Sequence, residues 1–397
     1  MIPSYRKKFN RDFTHKKYEL LLKQVTADFP PLSFRIAETP VFIPAALKDK
    51  LIAAGEEIIK LIRQPDFKAL TQNSIPAEWD VPAENDHPHF LTFDYAVCKD
   101  EAGELEPKLI ELQGFPSLYG FQPHLAKFYQ QAFELDKIAE FSPYFNDLDK
   151  WSYIDLLKKV ILGHHEPHEV ALMDIDAPNQ KTAIDFYITQ KVLGFKILSL
   201  TDIFKEGKQL FYLENGTKIR LKRIYNRLIF DEIQDQTEMF KQGFDPREPL
   251  DVEWATHPNW FYRISKYTMP FLKNTFVPET RFLAEVKEIP EDLDNYVLKP
   301  LFSFAGQGVL IDVTADAIKN IKDPENWILQ RKVKYEPVVQ ALDGGVKVEI
   351  RMMYLWPDGG EPQLCMNLAR LSRGKMIGVR YNKDFDWVGG TVGLIDS

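Results

Sequence analysis

Cysteine is almost missing from this chain of 397 residues, which holds two, Cys98 and Cys365. Neither stands in a CxxC or zinc-type spacing, so a disulfide-stapled scaffold and a cysteine-based zinc module are excluded. Both read as small buried hydrophobes, and the expected compartment is the reducing cytoplasm. Long apolar runs are missing too. No stretch approaches the ~20 residues that a bilayer-spanning helix needs, so no membrane partner is expected. The first ten residues, Met1 to Asn10, lack the apolar core of a secretory signal. Basic charge is not in excess: 50 Lys and Arg against 58 Asp and Glu leave a net charge of −8, the wrong sign for a general nucleic-acid binder. No internal repeat and no low-complexity tract interrupts the chain. A 45% hydrophobic and 27% charged composition is that of an ordinary globular protein, too long for one typical core. The seven Trp are scattered, which suits core packing better than carbohydrate stacking.

Apolar periodicity predicts helices in the first ~80 residues, most clearly from Ala45 to Ile62. The Pro-, Asn- and His-rich segment from Ser74 to His89 reads as a loop. Strands are expected at Phe90–Val97 and Lys108–Leu112, then a helix from Leu125 to Phe133. Near Gly163 the pattern changes. An apolar run at Glu169–Ile175, an amphipathic stretch at Thr182–Leu193 and a second run at Phe195–Leu200 have βαβ spacing, which predicts a small parallel-sheet unit. Leu210–Leu213 and Ile219–Tyr225 read as a hairpin about Asn215 and Gly216. After Pro278 strands dominate: Tyr296–Lys299, Val309–Asp312, Trp327–Gln330, Val346–Leu355, Leu364–Leu371 and Met376–Tyr381. Three regions are expected: 1–160, helical with two strands; 161–260, the βαβ unit; and 261–397. The fold class is α/β (α+β).

Two stretches carry chemistry. In Tyr296–Val309 a buried strand delivers Lys299 to a loop where Gly306 and Gly308 bracket Gln307. An ammonium beside glycine-freed backbone N–H groups suits nucleotide phosphate. In Lys108–Gly120 the period of two puts Glu111 and Gln113 on one face, where two oxygen donors would suit a hard cation such as Mg²⁺. Each residue has a plainer reading. Lys299 could end an ordinary strand, and Glu111 could face solvent from a half-buried one. Asp94 could pair with a nearby cation, and each arginine could sit in a salt bridge. His164-His165-Glu-Pro-His168 invites a metal reading, but Pro167 breaks helical i, i+4 pairing and no second cluster is spaced to complete a site. It reads as the linker into the βαβ unit.

In their order, these pieces resemble the ATP-grasp superfamily in its permuted form, the arrangement of eukaryotic glutathione synthetase and glutathionylspermidine synthase. Glu111-Leu-Gln113 and the turn after it resemble the family's metal-binding Glu-x-Asn strand, with Gln in place of Asn. Phe93-Asp94-Tyr95 resembles the strand with a further metal ligand. Val297-Leu-Lys-Pro300 resembles the lysine strand, and Phe304 to Val309 the loop over the phosphates. Trp327 to Val333, with Gln330, Arg331 and Val333, is similar to the adenine hinge, and Lys266 to the first ATP lysine. Arg223 to Ile229 is similar to the arginine-bearing strand, and Ala369 to Gly374 to the late arginine motif.

The resemblance implies an ATP-grasp-like fold that binds ATP and Mg²⁺. It implies ligation of a carboxylate to an amine or thiol, both small molecules, through an acyl phosphate. Lys266 and Lys299 would meet the phosphates, and Asp94, Glu111 and Gln113 the cation. Arg227, Arg351, Arg370 and Arg373 would be the candidates to hold the acceptor carboxylate. The alternatives are a nucleotide-binding protein of the same fold without ligase activity, and a small-molecule kinase. Ser303 and Phe304 stand where the family's loop often carries a charge.

Overall fold

The structure is a computed structural model that describes residues 1–229, 240, 243–302, 308–375, 377 and 381–396. The N-terminal region folds as helices α1 (Pro3–Asp12) and α2 (His15–Thr26), a short strand β1 (Val41–Phe42), α3 (Ala45–Ile62) and one turn, α4 (Phe67–Leu70). α3 has the bounds that its periodicity predicts, and it buries the stripe Leu47, Leu51, Ala54, Ile58 and Ile62. That stripe packs on the sheet formed next in the chain.

Strands β2 (Phe90–Lys99) and β3 (Leu105–Gln113) pair antiparallel. They are followed by α5 (Phe121–Phe133), β4 (Phe141–Ser142) and α6 (Lys150–Leu162). The expected βαβ unit is present as β5 (Val170–Asp174), α7 (Ala183–Leu193) and β6 (Lys196–Ser199), with β5 and β6 parallel. The hairpin about Asn215 and Gly216 joins β8 (Gln209–Glu214) to β9 (Thr217–Leu221), with β7 (Phe204–Glu206) on its edge. Both turn residues have positive φ, as a two-residue hairpin turn requires. The run Ile219–Tyr225 is not one strand. The chain breaks at Lys222, whose N–H bonds to Glu169 O, and continues as β10 (Arg223–Asn226) in the parallel sheet. That sheet has the order β11-β10-β5-β6, with β11 at Glu253–Ala255.

The remaining strands are β12 (Thr280–Phe282), β13 (Tyr296–Pro300), β14 (Trp327–Arg331), β15 (Val339–Ala341), β16 (Gly344–Leu355), β17 (Gln363–Ser372), β18 (Gly389–Thr391) and β19 (Gly393–Asp396). β12, β14 and β13 make a small antiparallel sheet of their own. Val309–Asp312 makes only an isolated bridge, Leu310 to Leu298, too little for the strand expected there. The stretch Met376–Tyr381 lies mostly outside the described residues.

The largest sheet has the order β18-β17-β16-β2-β3, with β15 on β16. It therefore joins strands from regions 1–160 and 261–397. β2 is buried along almost its whole length because both faces of this sheet are covered. No helix among the described residues is long and apolar enough to cross a membrane.

Candidate functional site

Strand register decides which side chains meet. Asp94 on β2 stands opposite Glu111 of β3 and Arg351 of β16. Two residues along β16, Glu349 stands opposite Arg370 of β17. All five side chains therefore leave one face of the large sheet. Arg351 donates from Nε and Nη2 to the two oxygens of Asp94 at 2.5 and 2.7 Å. Arg370 Nη2 also donates to Asp94 and lies 2.7 Å from Glu349 Oε1. The Tyr335 hydroxyl donates to the other Glu349 oxygen at 3.0 Å. Burial works to raise the Asp94 carboxyl, but Arg351 and Arg370 outweigh it and hold the group below the usual carboxylate range. Glu349 is raised, because burial and the Asp94 charge together exceed the pull of Arg370.

Two lysines arrive from other elements. The β2–β3 register slips between Asp94 and Tyr95, so Ile110 has no partner on β2. This bulge turns the Ile110 carbonyl toward β13, where it accepts from Lys299 Nζ at 3.0 Å. Burial, helped by the nearby Lys266 charge, outweighs Glu111 and Glu349 and pushes the Lys299 ammonium down to about 8. Lys266 opens a 3-10 turn, Lys266–Phe271, capped by the Ser265 side chain, which accepts from Tyr267 N–H. Its Nζ lies 3.3 Å from Glu111 Oε1.

Gly114 sets this contact. Its N–H bonds to Ile264 O at 3.0 Å, and a Cβ there would stand 2.6 Å from Trp260 O. Gly114→Ala is therefore expected to cost about 1–3 kcal/mol and to move Lys266 off Glu111. Urea unfolding checks the first effect, and an unchanged midpoint would refute it. Glu111, Gln113, Ser265, Lys266, Leu301 and Phe302 line a crevice of about 20 Å³ between the turn and the sheet. It has room for about one water.

Along 99% of its length the chain matches 99% of a glutathione synthetase-like effector from Globodera pallida, solved in the apoform, with a TM-score of 0.61 and 10% sequence identity. The fold is ATP-grasp-like. No family model and no curated protein matches the sequence.

In this ATP-grasp-like frame the other expected residues take varied places. Gln330 is buried, and its amide donates to Thr280 Oγ1 at 3.0 Å and faces Met269 Sδ at 3.7 Å, tying β14 to the Lys266 turn. Arg331 points outward, bonded to Asp292 at 2.7 Å and lying over the Tyr296 ring. Val333 follows β14 in irregular, half-buried chain. Gly308 has a φ of +73°, and Gly306 and Gln307 lie outside the described residues.

Arg373 is not brought to the Asp94 cluster. It lies just beyond β17 and pairs with Asp343 of the β15–β16 turn. Arg227 lies at the end of β10, over the rings of Phe115 and Phe186. It is buried, and its Nε and Nη1 have no hydrogen-bond partner among the described residues. Asp185 is close enough to feel its charge, yet burial keeps that carboxyl raised. Glu349 and Tyr335 escaped the sequence reading. Glu349 had a usable signal, since it is two residues from Arg351 and so shares its face. Tyr335 had none.

Proposed function

We propose that the chain is an ATP- and Mg²⁺-dependent ligase of the permuted ATP-grasp superfamily, working in the cytoplasm. It would join a small-molecule carboxylate to an amine or thiol through an acyl phosphate. The observation that carries this reading is the convergence of Lys299, Lys266 and Glu111 from three distant segments within a glutathione synthetase-like fold.

The charges of these residues would suit a polyphosphate, and the Lys266 turn would have to move off the sheet to admit one, since the crevice as it stands has room for about one water. Lys266 lines the crevice and Lys299 is close enough to feel its charge; both are buried, at a cost that an anion would offset. Glu111 and Gln113 would hold Mg²⁺ by oxygen, as that cation prefers. Asp94 would join them if Arg351 and Arg370 released it. Bound ATP and Mg²⁺ supply the phosphoryl group and neutralise its charge. The chain's own groups bind and orient: the lysines hold phosphate oxygens, and the arginine forks suit carboxylate bidentately. Region 161–260 would form part of the acceptor side, with Arg227 as its anchor.

Arg227→Met is expected to leave ATP affinity unchanged and to raise the KM for the carboxylate by about 50-fold, roughly the loss of one charged hydrogen-bond pair. Unchanged KM would remove Arg227 from the acceptor site. A second reading, nucleotide binding without ligation, is favoured by one feature: both Asp94 oxygens are already taken by arginines. The deciding experiment is ADP release, measured over paired carboxylates with amines or thiols. ADP that appears only with both partners supports the ligase. Mg²⁺-dependent ATP binding without turnover supports the second reading.

A further inference from the structure

On the far side of the parallel sheet, a histidine pair that looked incomplete in sequence gains a third ligand. His164 and His165 follow α6, separated from β5 by Glu166 and a 3-10 turn at Pro167–Glu169. Glu253 begins β11 and is in register with Arg223, which begins β10 and is in register with Val170 of β5. The cluster therefore sits at the N-terminal edge of these strands, whereas Arg227 lies past their opposite end.

One ligand atom from each of His164, His165 and Glu253 falls within a 4.8 Å set. His165 Nε2 lies 3.2 Å from Glu253 Oε2, and His164 Nε2 lies 3.9 Å from Oε1. The His165 side chain is only 9% exposed, yet its Nε2 makes no hydrogen bond. A buried ring nitrogen this close to a carboxylate is satisfied either by its own proton or by a cation held between the two. Arg223 does not fill that place. Its Nη1 holds Glu253 Oε2 at 2.6 Å and its Nη2 holds Asp358 at 2.8 Å, so its charge is matched by two carboxylates. It orients Glu253 as an outer-shell partner orients a ligand.

We propose that His164, His165 and Glu253 bind a divalent transition-metal cation of the zinc type, with water completing the shell at the exposed His164 side. Two imidazoles and one carboxylate are the donor set that such a cation takes, and Mg²⁺ does not favour imidazole. The ion would clip the α6–β5 turn to β11 across the sheet edge. This inference does not rest on the ligase reading.

The test is Zn²⁺ titration of the metal-free full chain against a chromophoric chelator, with circular dichroism on every variant. One tight equivalent is expected. His164→Ala, whose ring is exposed so that packing survives, and Glu253→Gln should each weaken it at least about tenfold. Glu111→Gln and Lys299→Ala should leave it unchanged. No tight equivalent, or one that survives His164→Ala combined with His165→Ala, overturns the proposal. So does one that disappears with Glu111→Gln alone, because the ion would then sit in the nucleotide crevice.

Discussion

Lys299→Met is expected to abolish useful ATP binding while making the free protein more stable. The ammonium is buried against Ile110 O and pushed down to about 8 from the usual 10.5. Below pH 8 the lysine is charged in folded and unfolded chains alike, and the folded chain carries the whole burial cost, about 3 kcal/mol. Between 8 and 10.5 the folded chain has released its proton and the unfolded chain has not, so that cost shrinks as pH rises. Methionine removes the cost but leaves the Ile110 carbonyl unpaired, for about 1 kcal/mol. A net gain of about 2 kcal/mol at pH 7, fading above pH 8, is the expected result of chemical denaturation. Calorimetry at pH 7 should show ATP affinity lower by about 100-fold, the loss of a charged contact to phosphate. Wild-type affinity should itself fall above pH 8 as the ammonium is lost. A variant that binds ATP normally, or that is destabilised at pH 7, would break the link between this lysine's burial and its use.

Asp94→Asn has the second large effect, in the opposite direction. It leaves Arg351 and Arg370 facing each other at a buried point with no carboxylate between them. Breaking such a cluster from one side costs about 3 kcal/mol, since Arg370 retains partial access to water and Glu349 remains beside it. The pH dependence follows from the lowered Asp94 carboxyl. Its stabilisation is present above the unfolded carboxylate value, near 4, and is lost as pH falls through the lower folded value. The gap between wild type and variant should therefore be full at pH 7 and narrow below pH 4. Urea midpoints across that range test it, and equal midpoints at pH 7 would falsify it. If Asp94 also joins a cation, the variant should raise the Mg²⁺ requirement for ATP binding. If the arginines never release it, that requirement should not move.

Much of the site was visible in the chain as residue types. Lys299 announced itself as a cation at the end of an apolar strand, and Glu111 with Gln113 as a same-face oxygen pair. The bulge at Ile110 that receives Lys299 was not visible, because a slip of one residue leaves no trace in an apolar run. Glu349 was half visible through its spacing from Arg351. Its partner Tyr335 lies in irregular chain, where no period ties it to anything. Arg331 and Gln330 resemble residues of a hinge that would bind adenine through its backbone, and their side chains are engaged elsewhere, with Asp292 and Thr280. Those partners come from loops and edges that no local pattern could assign.

From its sequence alone this chain determined α3 to the residue, the βαβ unit, the hairpin at Asn215 and Gly216, and the late strands β13, β14, β16 and β17. Each of these rests on a period of 3.6 or 2, or on a turn residue with positive φ, and such signals act over a few neighbours. Only the tertiary structure decided that β16 and β17 lie against β2, which puts Arg351 and Arg370 on Asp94. It also split Ile219–Tyr225 between two sheets and carried Glu253 to His164 and His165. The physical reason is the same in each case. A strand's period says which face is buried but not which strand lies beside it, and that choice is made by packing of the whole chain.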